Sequence, residues 1–145
     1  MWDRLISLDD IKVDHQASVD LDQLKVMVAS DLERLLNSRR CLPDEDLFGY
    51  PSARDSVANF GIPDFSTKSL SSGIDRDQMC HSLAKAIEQF DKRLIRVNVE
   101  LRPRQAHVHR MAFDIHAVLS VSSCHEPVSF DALFDSAGMF YRVNT

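Results

Sequence analysis

Asp91-Lys92-Arg93 sets one carboxylate beside two cations at a point where the sequence pattern changes. A carboxylate and a guanidinium fixed together can recognise a partner, but the tripeptide alone names no reaction. Catalysis makes stricter demands. Glycoside hydrolysis needs two carboxyls across a cleft, one of them with a raised pKa. The chain has 22 acidic residues, so pairs such as Glu88 and Asp91 arise by chance, and nothing marks an apolar pocket around either. His107 and His109 form an H-x-H pair of the kind that binds zinc on a strand. His116 falls on the opposite parity, His125 lies further on, and neither a third matched ligand nor an H-E-x-x-H is present. No G-x-S-x-G surrounds a serine, and four glycines cannot build a phosphate-cradling loop. The residues indicate no catalytic centre, no cofactor and no metal.

The elements around Asp91-Lys92-Arg93 are plainer. Before it, Met79, Leu83, Ile87 and Phe90 recur at the spacing of one helical face, with Asp75 and Gln78 as an expected cap pair. After it the period drops to two, with Ile95, Val97, Val99 and Leu101 alternating against Arg96, Asn98, Glu100 and Arg102. An earlier helix is expected near 20–38, capped by Asp20 and Gln23, with Leu21, Leu24, Val28, Leu32, Leu35 and Leu36 as its buried stripe. At its end, Asn37 and Arg39 suit either a helix C-terminus or an exposed contact surface. A short helix near 52–60 is expected to be capped by Ser52 and ended by Gly61 and Pro63.

From residue 94 the chain reads as β to its end. Strands are expected near 94–102, 108–121 and 127–134, the first two joined by a short link from Pro103 to Ala106. A turn over Asp135 to Gly138 leads to a last strand with Met139, Tyr141 and Val143 on one face and Phe140 and Arg142 on the other. That strand is the expected sheet edge, with Met139, Phe140 and Tyr141 as candidate assembly residues. The fold class is α+β: N-terminal helices packed on one face of a four-stranded antiparallel sheet. Residues 1–17 read as a loosely attached arm and 18–145 as one domain.

Composition excludes several classes. With 44% hydrophobic and 27% charged residues in 145, the chain is neither disordered nor too small for a core. No apolar run approaches the roughly 20 residues of a membrane span. The start, Met1-Trp2-Asp3-Arg4, lacks the pattern of a secretory signal, and a cytoplasmic protein is expected. Cys41, Cys80 and Cys124 are odd in number and widely spaced, which suits free and mostly buried thiols. The net charge of −5 is uneven: between Lys92 and Arg110, five arginines and a lysine meet only Glu100. That stretch suits either a solvated strand face or a basic patch, Arg96 included, that docks an acidic protein. Nucleic acid does not fit an acidic chain whose bases are not interleaved with aromatics.

Several segments in order resemble one family. They are Ser30-Asp31-Leu32-Glu33-Arg34-Leu35-Leu36-Asn37-Ser38-Arg39, Ser56-Val57-Ala58-Asn59-Phe60-Gly61-Ile62-Pro63-Asp64, Ile87 to Leu94, and Glu126-Pro127-Val128-Ser129-Phe130-Asp131. Together with Trp2-Asp3-Arg4-Leu5 they resemble the TssE family, the small wedge subunit of type VI secretion baseplates. That family is shared with the short wedge protein of contractile phage tails, once labelled lysozyme-like. The resemblance implies a structural subunit that assembles with TssF and TssG, linked to TssK, and helps start the sheath of TssB and TssC. It implies a cytoplasmic baseplate docked at the inner membrane of a Gram-negative bacterium, with no direct membrane insertion. A cell-wall glycoside hydrolase of a phage-like tail is the alternative. Where the family reads Glu-Pro-Arg, this chain has Asp91-Lys92-Arg93, so only the arginine is retained as an implied contact to neighbouring wedge proteins. Asp is one methylene shorter than Glu, and Lys lacks the fixed φ of Pro.

Overall fold

The computed structural model describes residues 21–43, 45–66, 68–69, 72–102, 110–121, 124–135 and 138–145. The expected arm over 1–17, the Asp20 cap, the link from Pro103 to Ala106 and the pair His107 and His109 lie outside these residues. Helix α1 spans Leu21–Asn37, α2 Pro51–Arg54 and α3 Gly73–Phe90, with a 3-10 turn at Val57–Asn59. Strands β1 (Leu94–Leu101), β2 (Arg110–Val121), β3 (Cys124–Asp135) and β4 (Phe140–Asn144) form an antiparallel meander in sequence order. The α+β architecture is as expected, with two main helices packed against a four-stranded sheet.

The periodicities produce the layers. Val28, Leu32, Leu35 and Leu36 of α1 are buried, as are Met79, Leu83, Ala86 and Ile87 of α3. They meet the sheet face formed by Phe113, Ile115, Ala117 and Leu119 of β2 and Val128, Phe130, Ala132 and Phe134 of β3. Alternation along an antiparallel strand puts the intervening polar residues on the opposite face. There Asp114 stands directly across from Asp131, His116 from Ser129 and Ser120 from His125. The two carboxylates would repel, but Arg102 donates to both. His116 Nδ1 lies 2.9 Å from Ser129 Oγ, and Ser120 Oγ 3.2 Å from His125 Nε2. These histidines sit in cross-strand pairs, and no group of three metal-ligating side chains occurs among the described residues.

Several local expectations need correction. Helix α3 begins before Asp75: Ser72 is its N-cap, and its hydroxyl accepts from the Asp75 backbone N–H. Asp75 is the third helical residue of that cap, and its carboxylate accepts instead from the Ser69 backbone at 3.0 Å. Ser52 caps nothing. Pro51 occupies the first helical position, where its fixed φ suits the turn, and no side chain caps α2. Gly61 does more than end a helix. At φ +126 it lets Ile62 form a parallel bridge with Arg39, and a Cβ there would lie 2.5 Å from the Ser38 carbonyl oxygen. Cys41 is exposed rather than buried, and Cys80 is half-buried.

The strict alternation expected over 95–101 is also broken. Ile95 pairs with Val118 but Asn98 with His116, so Arg96 and Val97 together oppose Ala117. Arg96 takes φ +54 to accommodate this bulge. Leu94 is therefore buried ahead of the bulge and Val99 after it, on opposite parities. Met139, expected to open the last strand, lies in the turn before β4 with φ +54. The buried face of β4 is Tyr141 and Val143.

Candidate partner-binding surfaces

The junction between α3 and β1 is built by Asp91. Its backbone N–H closes the helix on the Ile87 carbonyl at 2.8 Å, and its own carbonyl accepts from Leu94 N–H at 3.1 Å. The carboxylate then folds over the next turn. Oδ1 accepts from the Arg93 backbone N–H at 3.1 Å and from Arg93 Nε at 2.9 Å, while Oδ2 accepts from Nη2 at 2.7 Å. The same Nη2 donates to Asp31 Oδ2 on α1 at 2.7 Å. Arg93 thus ties the junction to the first helix through a bidentate fork that Lys could not reproduce. Hydrogen bonding to Asp91 holds the Arg93 guanidinium well above its ordinary value, against the opposing effect of burial.

Arg93 was expected from the sequence as a partner contact, alongside Asp91, Lys92 and Arg96. The structure brings Asp91 and Arg93 together and gives them internal work. Asp91 is only 9% exposed and would be a buried charge without the guanidinium. Lys92 is exposed and donates to the Glu88 carbonyl at 3.3 Å. Arg96 projects from the bulge into solvent with no ion pair among the described residues. The basic patch is thereby thinned. Arg93 is neutralised by Asp91 and Asp31, and Arg102 by Asp114 and Asp131, while Lys92 and Arg96 point outward among the described residues of the patch.

The expected open edge at Met139, Phe140 and Tyr141 is different in kind. Tyr141 is 2% exposed and packs its ring 4.7 Å from Phe134. Burial pushes its phenol up to about 12. Its backbone N–H donates to Asn37 Oδ1 at 2.7 Å, and its carbonyl accepts from Asn37 Nδ2 at 2.9 Å. Two residues on, Val143 N–H donates to Glu33 Oε2 at 2.9 Å. Glu33 and Asn37 are one helical turn apart on α1, so together they do for β4 what a neighbouring strand would. Phe140 is half-buried, with Arg142 5.3 Å from its ring centroid, and Met139 is 61% exposed. Of the three residues, Met139 and Phe140 leave side-chain surface exposed and Tyr141 does not.

The opposite edge is closed in part as well. Glu88 Oε1 accepts from Val97 N–H at 2.9 Å, just past the bulge. Burial pushes the Cys80 thiol up, offset in part by hydrogen bonding from the Leu101 backbone. Sequence reasoning missed Glu33, Asn37 and Glu88 as edge caps. The only visible signal was the spacing of Glu33 and Asn37 on one helix face. Glu88 and Asp91, the carboxyl pair a glycosidase would need, are occupied by the Val97 amide and the Arg93 guanidinium.

One shallow cavity of about 170 Å³ lies between α3 and the 59–63 segment, lined in part by Arg40, Asn59, His81, Lys85 and Gln89. Asn59 is buried, donating to the Arg54 carbonyl at 3.3 Å, with no hydrogen bond to its Oδ1 among the described residues. No described helix is long and apolar enough to cross a membrane.

Comparison with known proteins gives this geometry a context. No curated protein matches the chain. Among solved structures, a chain of the baseplate complex from the type VI secretion system shares the fold, with a TM-score of 0.52 and 14% identity. The alignment covers 77% of this chain and 94% of that one. The model of the family described as baseplate wedge protein gp25 matches residues 22–123, from the first turn of α1 to the end of β2 and just beyond. The match takes in Asp31, Asn37, the Asn59–Pro63 segment and the Asp91–Arg93 junction, and the chain belongs to the baseplate wedge protein gp25 family.

Proposed function

We propose that this wedge-family protein is the TssE-type subunit of a type VI secretion baseplate. It assembles with TssF and TssG, linked to TssK, and helps start polymerisation of the TssB and TssC sheath. It works in the cytoplasm, in a baseplate docked at the inner membrane of a Gram-negative bacterium. The observation that carries this reading is the family match over residues 22–123 on a fold shared with nearly the whole of a type VI baseplate chain. The wedge family is structural, and the subunit acts by holding others in place.

Lys92 and Arg96 steer the approach of an acidic neighbour, while Met139 and Phe140 supply apolar contacts at the far end of the sheet. Any sheath strand that adds to β4 must displace Glu33 and Asn37, so strand addition there is coupled to a shift of α1. The experiment is a gene deletion in a type VI-positive strain carrying a fluorescent sheath protein. Sheath foci should disappear and return with the wild-type gene. Foci that persist in the deletion overturn the reading.

A further inference from the structure

The segment between α1 and α2 carries apolar surface that neither the core nor the surfaces described above employ. Phe48 is 86% exposed and Tyr50 67% exposed, two residues apart. Exposed apolar surface is a mark of interaction sites, and a backbone held in place presents it at a lower ordering cost. Here it is held. Leu47, between Asp46 and Phe48, is buried at 2%. Phe48 N–H donates to the Glu45 carbonyl at 3.2 Å, and Tyr50 N–H to the Leu47 carbonyl at 3.0 Å. The Tyr50 carbonyl then accepts from two amides of α2, Ala53 at 3.1 Å and Arg54 at 3.2 Å. Gly49, at φ +92, makes the reversal between the two aromatics, a conformation that a Cβ would oppose.

The charge beside the aromatics is of one sign. Glu45 and Asp46 are exposed and form no ion pair among the described residues. Two exposed aromatics on a hydrogen-bonded turn, next to unpaired carboxylates, are complementary to an apolar pocket rimmed by Lys or Arg, because aromatic anchors fill pockets and charges at the rim orient them. Their hydrogen-bonded backbone lowers the ordering cost of binding. We propose that the 45–50 turn is a docking element that inserts Phe48 and Tyr50 into such a basic-rimmed apolar pocket on an adjoining baseplate protein. It acts separately from the Lys92–Arg96 and β4 surfaces. The proposal rests on the baseplate reading above.

The test uses the full chain, co-expressed with TssF and TssG and captured through a tag on either of them. Three variants are compared with wild type: Phe48→Ala with Tyr50→Ala, Glu45→Lys with Asp46→Lys, and Ile74→Ala as an exposed apolar control outside the turn. The expected result is wild-type capture, loss of at least about tenfold for the aromatic pair, a smaller loss for the charge reversal, and none for Ile74→Ala. Melting temperatures should match wild type, since none of these side chains is buried. Equal capture of wild type and the aromatic variant overturns the docking element and leaves the baseplate reading standing. Undiminished capture of the charge reversal overturns the basic rim. A wild-type dimer that dissociates on Phe48→Ala, with capture intact, makes the occupant a second copy and overturns the proposed partner. Failure of wild type to be captured removes the baseplate reading and this proposal together.

Discussion

The carboxamide of Asn37 bonds both backbone groups of Tyr141, its oxygen taking the N–H at 2.7 Å and its nitrogen meeting the carbonyl at 2.9 Å. A peptide unit of a fifth strand would present the same donor and acceptor. A side chain from α1 therefore ends the sheet, and a long-range contact across 104 residues stands where a β-ladder would continue. Glu33 extends the arrangement to Val143.

Asn37→Ala should therefore destabilise the monomer and change its association state. Both groups of Tyr141 would lose their partner at a half-buried edge, costing about 2–3 kcal/mol. The bared edge would then be open to a second chain. Thermal unfolding checks the first effect and light scattering against concentration the second. A variant that melts like wild type and stays monomeric would show that Asn37 is dispensable to the edge.

Arg93 makes a different prediction from that of a pure interface residue. Arg93→Ala leaves the Asp91 carboxylate, 9% exposed, without its principal counter-ion and Asp31 without its link to the junction. A fully buried pair broken in this way costs about 3–5 kcal/mol, and solvent reaching Arg93 reduces that to about 2 kcal/mol here. Arg93→Lys should recover less than half, since an ammonium cannot span both oxygens of Asp91 and reach Asp31. Urea unfolding of the two variants measures this. Unchanged stability with lost capture by TssF and TssG would return Arg93 to a role at the interface alone.

The layers of the fold were legible because they repeat locally. The helix stripe from Val28 to Leu36 and the β2 alternation from Phe113 to Leu119 each declare their period within a dozen residues. Exceptions to the period were hidden. Nothing in the types of Arg96 or Met139 announces φ +54, since glycine is the usual signal for that region. The bulge at Arg96 followed from pairing with β2, which lies in another part of the chain. For the candidate surfaces, the Asp91–Arg93 junction was visible as a motif, but its direction was not. Its second carboxylate, Asp31, is 62 residues away in sequence. The Glu33 and Asn37 caps showed only their shared helix face, because a polar side chain on a helix gives no sign of which strand it will reach.

The polar face of the sheet predicts an acid response. Asp114 and Asp131 stand opposite each other in register, and Arg102 donates to both. Hydrogen bonding from Arg102 holds the Asp114 carboxyl below its usual range. A carboxyl whose pKa is depressed by folding adds stability that is present above its unfolded value, about 3.9. That stability is lost as pH falls through the folded value. The melting temperature should therefore drop below about pH 4, and Asp114→Asn should flatten that part of the curve while leaving the neutral range little changed. An acid limb identical in the variant would mean that other carboxyls carry it.

Gly61 offers the sharpest structural test. Its backbone, at φ +126, passes so close to the end of α1 that a Cβ would sit 2.5 Å from the Ser38 carbonyl oxygen and 2.7 Å from its carbon. Those atoms cannot move freely, because the same carbonyl accepts from Ile62 N–H at 2.9 Å, and Arg40 N–H donates to the Ile62 carbonyl at 3.1 Å. Gly61→Ala therefore meets two penalties, a dihedral that L residues avoid and an overlap with hydrogen-bonded backbone. The expected cost exceeds about 2 kcal/mol, larger than an ordinary surface change. Separation of Ser38 from Ile62 would also lift the 59–63 segment from α1 and disturb the cavity walled by Asn59 and Lys85. Gly49→Ala is the comparison, since its φ is +92 but a Cβ would meet nothing within 4 Å. It should carry the dihedral cost alone and unfold at a higher temperature than Gly61→Ala. Equal melting of the two variants would mean that the contact with Ser38 adds nothing to the strain of the backbone.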